Sequence, residues 1–145
     1  MNRKPLKRHA ALIPLSREHH KGLLLAQLLK SDSPPYRGLP TERADIIDYA
    51  KKEYQDKLLP HFEKEETLIR RSLQEQGTLA DHAQRVIQEH EQLRAAFTQL
   101  NEATTVSELD KLGRLLEQHI RFEERVWFMA LQEELSETEL QQLYL

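Results

Sequence analysis

The sequence predicts an all-α protein, an antiparallel up-down-up-down four-helix bundle to which a short C-terminal helix can be added. Three observations carry this. Four stretches repeat apolar residues every three or four positions, the period of a helix with one buried face. Only four Gly and six Pro punctuate 145 residues, so few points exist where a helix must stop. The hydrophobic share of 39% and charged share of 31% suit a helical globule better than a sheet sandwich or a disordered chain.

The first helix is expected from Ser16, a residue type that caps helix starts, through Leu23, Leu24, Leu25, Leu28 and Leu29. It ends in Ser31, Asp32, Ser33, Pro34 and Pro35. Thr41 caps the second, whose inward stripe reads Ile47, Ala50, Tyr54, Leu58, His61, Glu65, Leu68 and Ser72 before Gly77. Pro60 removes a backbone donor within it and predicts a kink just before His61. From Thr78 the third stripe reads Leu79, His82, Val86, His90, Leu93, Phe97 and Leu100. Ser107 with Asp110 resembles a capping box and opens the fourth helix, with Leu109, Leu112, Leu116, His119, Glu123, Val126 and Ala130 inward. A second such box, Ser136 with Glu139, starts the short terminal helix that ends in Leu143, Tyr144 and Leu145. Residues 1–15 form an N-terminal arm and residues 16–145 one bundle domain.

Charge and composition exclude several functions. A net charge of −3 with both signs interspersed leaves no polyanion footprint, so nucleic acid is not an expected partner. The one basic cluster, Arg3, Lys4, Lys7 and Arg8, reads as a solvated arm. Zero cysteines exclude disulfides and thiolate-ligated clusters, leaving only nitrogen and oxygen ligands for any metal. The stretch Ala10 to Leu15 is short and broken by Pro14, and no run approaches the roughly 20 apolar residues of a membrane span, so a soluble, cytoplasmic chain is expected.

Polar residues stand where a plain bundle would carry Leu or Ile. They are His20 on the first helix, His61 and Glu65 on the second, His90 on the third, and His119 and Glu123 on the fourth. The pairs His61/Glu65 and His119/Glu123 are spaced i, i+4, so each helix offers a nitrogen and an oxygen on one face about 6 Å apart along its axis. Distance from the connecting turns puts His61, Glu65, His90 and His119 within about one helical turn of a common height. His19 is rotated by about 100° from His20 and is the alternative ligand on the first helix. Burying two carboxylates and four imidazoles without compensation would cost several kcal/mol for each ion, of order a domain's whole stability. A metal ion, or two, is the simplest partner, with iron, zinc or manganese matching the ligand types. No histidine follows a Glu by three residues, and His-Glu-x-x-His is absent, so ferritin-like and zinc-protease patterns are excluded.

Four segments together resemble the hemerythrin-like, or HHE cation-binding, domains: Leu15 to His20 (LSREHH), His61 to Glu66 (HFEKEE), Glu89-His90-Glu91, and His119 to Arg125 (HIRFEER). The resemblance implies two iron ions in an oxo- or hydroxo-bridged di-iron centre, with histidines as terminal ligands and Glu65 and Glu123 bridging. Oxygen carriers of the family use five histidines, two of them four apart on the third helix. Val86 and Arg94 occupy the positions four before and four after His90. The four-histidine set is more similar to di-iron domains linked to nitrosative stress and iron-sulfur cluster repair. The expected function is binding of oxygen, nitric oxide or a related small ligand for sensing, storage or detoxification. The alternative is a di-iron redox enzyme or iron donor, with an electron or iron partner that nothing in the sequence identifies.

Overall fold

A computed structural model describes residues 7–35 and 37–143, all helix and connection with no strand among them. Arg3, Lys4, Tyr144 and Leu145 lie outside the described residues. Four long helices form the bundle: α1 (Ile13–Leu29), α2 (residues 43–74), α3 (Thr78–Thr98) and α4 (residues 106–134), followed by the short α5 (Glu137–Gln141). The Ser136 capping box starts α5, with Glu139 N–H donating to Ser136 Oγ at 3.1 Å and Ser136 N–H to Glu139 Oε1 at 2.9 Å. No helix among the described residues is long and apolar enough to cross a membrane.

Helix starts depart from expectation where a better local bond exists. Ser16 is not a cap, because α1 begins at Ile13 with Pro14 in its first turn, where the missing proline N–H has no helical partner to lose. Ser16 Oγ instead donates to Glu124 at 2.8 Å. Thr41 is likewise passed over, and α2 starts at Arg43. The fourth helix is capped one residue pair earlier than Ser107 and Asp110. Thr105 Oγ1 accepts from Glu108 N–H at 3.1 Å while Glu108 Oε1 accepts from Thr105 N–H at 3.0 Å. Asp110 turns outward to Ser31 and Arg114.

Both α2 and α4 contain one π-helical turn, at Tyr54–Leu58 and at Glu123–Trp127. In α2 the widened turn precedes Pro60, whose ring would press on the carbonyl four residues back. Leu59 N–H reaches back to Tyr54 O, and the distortion predicted at Pro60 is spread over this turn. In α4 the extra residue advances the helix phase. Val126 is therefore 38% exposed, while Trp127, Phe128 and Leu131 are fully buried in its place.

Two apolar layers flank the middle of the bundle. One joins Leu29, Ile47, Ala50, Phe97, Leu109 and Leu112, and the other joins Leu12, Leu68, Leu79, Val86, Trp127 and Leu131. Helices α1 and α4 meet closely at Gly113, where an added Cβ would lie 2.7 Å from Ala26 O and 2.9 Å from Leu29 Cβ. The α2–α3 turn passes through Gly77 at φ 81°, a backbone state that glycine adopts without strain. It folds α3 back along α2 until His90 meets Glu65. Trp127 Nε1 donates to Ser72 Oγ at 3.1 Å, so the one indole dipole in the lower layer is satisfied.

Candidate metal centre

Between the two apolar layers lie six buried polar side chains: His19, His61, Glu65, His90, His119 and Glu123, none more than 4% exposed. Each long helix contributes at least one. They divide into two quartets, His19/His61/Glu65/Glu123 and Glu65/His90/His119/Glu123, in each of which one donor atom per residue lies within 4.8 Å of the others. Glu65 and Glu123 belong to both. Donor atoms about 2.1 Å from a common ion stand roughly 3.4 to 4.2 Å apart, so each quartet needs only a slight contraction to hold one.

His19, not His20, enters the cluster from α1. His20 is exposed. The inward stripe of α1 runs Leu15, His19, Gly22, Ala26 and Leu29, spaced four, three, four and three, and Leu24, four residues after His20, is 39% exposed. A side chain one position on is turned by about 100° and faces water. His61, Glu65, His90, His119 and Glu123 stand together as the spacing predicted. His82 does not join them, packing edge-on to Phe122 with ring centroids 5.5 Å apart. Val86 is in the apolar layer and Arg94 turns its head to Glu66 at 3.5 Å, so α3 supplies one imidazole.

The donor atoms approach each other without bonding each other. His19 Nε2 lies 2.8 Å from Glu123 Oε1, His61 Nε2 3.4 Å from Glu65 Oε1, and His119 Nε2 3.0 Å from Glu123 Oε2. Only His90 Nε2 with Glu65 Oε1, at 3.1 Å, has the direction of a hydrogen bond. Six buried atoms aimed into the cluster have no partner: the Nε2 atoms of His19, His61 and His119, Glu65 Oε2, and both Glu123 oxygens. Only one other buried side-chain atom among the described residues, Arg94 Nε, shares this condition. Buried polar atoms left unpaired cost about 1–3 kcal/mol each, more when charged, so their concentration in one void fits a cation as the missing partner.

Three glutamates outside the cluster orient its imidazoles. Glu124 lies 2.6 Å from His19 Nδ1, Glu18 2.8 Å from His61 Nδ1, and Glu89 2.8 Å from His119 Nδ1. A ring whose Nδ1–H donates to a carboxylate keeps a bare lone pair on Nε2, the state a metal requires. Each glutamate serves a neighbouring helix: Glu18 on α1 serves α2, Glu89 on α3 serves α4, and Glu124 on α4 serves α1. Sequence reasoning missed these roles, although each glutamate is adjacent in sequence to a cluster residue. The π turn at Glu123–Trp127 opens the helix where the consecutive Glu123 and Glu124 both reach His19.

Without a cation the cluster holds protons instead. Burial alone lowers the pKa of His119, but the charge of Glu123 and the contacts with Glu123 and Glu89 outweigh it and push it up to about 10. Burial and the Glu123 charge raise the pKa of Glu65, yet His61 and His19 bring it down to about 2. A metal ion must therefore displace protons from the imidazoles as it binds.

A cleft of about 410 Å³ between α1 and α2 reaches His19, His61 and His119, with Leu25, Leu58 and Ile120 among its walls. Phe62, which also borders the cleft, stacks on His90 at 4.0 Å and meets His119 edge-on at 6.0 Å.

Comparison with protein families matches residues 10–131 to the hemerythrin HHE cation binding domain. Comparison with curated proteins and with solved structures finds no match.

Proposed function

Since the chain belongs to the hemerythrin HHE cation-binding family, we propose that it is a non-haem di-iron protein that binds oxygen, nitric oxide or a related small ligand for sensing, storage or detoxification. The observation that carries this reading is the set of six unpartnered polar atoms from α1, α2 and α4, gathered in one buried cluster that His90 of α3 completes.

In this reading His19 and His61 would hold one ion and His90 and His119 the other, with Glu65 and Glu123 available to both. Bound iron would supply an open coordination position and redox chemistry. The protein's own part is to set the geometry and the access. Glu18, Glu89 and Glu124 keep three Nδ1 protons in place, so the proton that each ring gives up to a cation is the one on Nε2, and the ring plane is already set. Phe62 backs His90 and His119 with an apolar ring, and the cleft that borders His19, His61 and His119 is the way in for a small ligand. Leu25, Leu58 and Ile120 share the cleft walls with charged side chains, among them Arg17, Lys21, Asp56 and Lys64.

The cleft also has more room than a diatomic molecule needs, which keeps a redox enzyme or iron donor as the second reading. Turnover of nitric oxide or peroxide by the iron-loaded protein selects that reading, and reversible ligand binding selects the first.

The deciding experiment is elemental analysis of the protein after anaerobic iron loading, with His61→Ala, Glu123→Ala and His82→Ala beside it. Two irons per chain are expected for the unaltered protein and for His82→Ala, with loss in the other two. Iron retained in both cluster variants, or lost equally from His82→Ala, overturns the assignment.

A further inference from the structure

Two stretches outside the residues matched to the family, one before residue 10 and one after residue 131, meet at the end of α4. Gln132 Nε2 donates to Lys7 O at 2.7 Å, and Gln132 Oε1 accepts from Arg8 Nη1 at 3.1 Å and from His9 N–H at 3.2 Å. His9 Nε2 lies 2.9 Å from Glu137 Oε1 in α5. The segment 7–12 is thus a strap laid across α4, pinned at its far end by Leu12, which is fully buried.

Arg8 continues inward from that strap. Its Nη2 donates to Glu124 O at 2.9 Å and to Glu124 Oε1 at 3.2 Å, and its guanidinium lies over the Phe128 ring, 5.4 Å from the centroid. Glu124 also accepts from Ser16 and contacts His19 Nδ1, and Phe128 stacks on the His19 ring at 5.5 Å. Arg8 therefore grips both groups that hold His19. The other two orienting glutamates are held from within the bundle, Glu18 by Lys64 at 2.7 Å and Glu89 by Arg85 at 3.0 Å. Among the three, only Glu124 takes its cation from outside the matched domain.

We propose that Arg8 is a positioning residue for the metal centre: by fixing Glu124 and Phe128 against His19 it couples docking of the N-terminal strap to occupation of the His19/His61 half. This rests on the reading that the cluster holds metal. A strap that favours the occupied half must be favoured by occupation in return, because linkage between two equilibria is reciprocal. The strap then reports metal occupancy at the protein surface, where Lys7 is exposed.

The test uses the full chain loaded with iron(II) under anaerobic conditions, with affinity read by competition against a chromophoric chelator. Arg8→Gln is expected to weaken one of two binding steps roughly tenfold, as loss of an outer-layer partner commonly does. Arg8→Lys, which keeps the charge without the forked geometry, recovers part of the loss. Arg114→Gln, a surface cation paired with Asp32 and Asp110, leaves both steps unchanged. In the unaltered protein, tryptic cleavage after Lys7 slows by a similar factor on metal loading, and in Arg8→Gln that slowing disappears. Two tight steps in Arg8→Gln, or equal cleavage rates with and without metal in the unaltered protein, overturn the proposal, as does equal weakening of both steps with a fall in the metal-free melting temperature. An unaltered chain that takes up no metal overturns this proposal together with the functional reading beneath it.

Discussion

Replacing Glu89 by Ala isolates what an orienting carboxylate contributes to the centre. Glu89 Oε1 lies 2.8 Å from His119 Nδ1, and Arg85 Nε holds its other oxygen at 3.0 Å. Without it, the His119 ring can carry its proton on Nε2, where the metal would bind, and the ring loses the contact that fixes its plane. Outer-layer losses of this kind weaken metal binding by roughly 10- to 100-fold, or about 1.4–2.7 kcal/mol. At free metal 100 times the dissociation constant, a site stabilises the fold by about 2.7 kcal/mol, and a hundredfold weaker site at that same concentration gives only about 0.4 kcal/mol. Glu89→Ala should therefore lose, at the hundredfold end, most of the share of the metal-induced melting-temperature gain that the His90/His119 half supplies. The metal-free melting temperature should fall by less, because among the described residues the Glu89 carboxylate pairs with His119 and Arg85, and Glu123 continues to hold His119's proton. Chelator competition together with thermal unfolding, each with and without iron(II), measures both quantities. Unchanged affinity, or an affinity loss accompanied by an equal fall in metal-free stability, refutes the orienting role.

Three further outcomes follow from particular contacts. In metal-free protein the raised pKa of His119 adds stability that is complete below its unfolded value of about 6.5 and is lost as pH rises through about 10. The lowered pKa of Glu65 adds stability that is complete above about 4.5 and is lost as pH falls through about 2. Chelated protein should thus melt highest between about pH 4.5 and 6.5 and progressively lower toward pH 9, and a flat or rising profile above pH 6.5 contradicts the site's electrostatics. Gly113→Ala drives a methyl group onto Ala26 O and Leu29 Cβ, separates α1 from α4, and should cost about 1–3 kcal/mol in denaturant titration; a neutral effect would mean that the two helices are not pressed together there. Ser72→Ala leaves the buried Trp127 N–H without its acceptor and should destabilise by about 1–3 kcal/mol with metal stoichiometry intact, so a loss of bound iron would place Ser72 in the centre rather than in the apolar layer.

Most of the centre was legible because the local rules of the helix carry it. The i, i+4 pairs His61/Glu65 and His119/Glu123 share a face whatever surrounds them, and counting from the α2–α3 and α3–α4 connections aligned His90 with both. The apolar stripe of α2 was also readable through its π turn, since Ala50, Tyr54 and Leu58 are spaced by four and already contain the extra residue. In α4 the same distortion was hidden. No proline marks Glu123–Trp127, and Val126 and Trp127 are both apolar, so nothing local chose between them.

By itself the sequence determined an all-helical chain, the four helices that bear ligand-type residues, and the common height at which five of the six meet. Only the tertiary structure decided the sixth, placing His19 inward and His20 in water. The choice depends on the rotation of α1 about its own axis, which is set by how Ala26 and Leu29 press on Gly113 of α4, 87 and 84 residues away. Packing likewise assigned Glu18, Glu89 and Glu124 to imidazoles on neighbouring helices and brought Arg8 to Glu124 across 116 residues. Period and spacing are properties of one helix at a time, whereas phase and cross-helix pairing minimise the free energy of the assembled core and exist only once the helices have met.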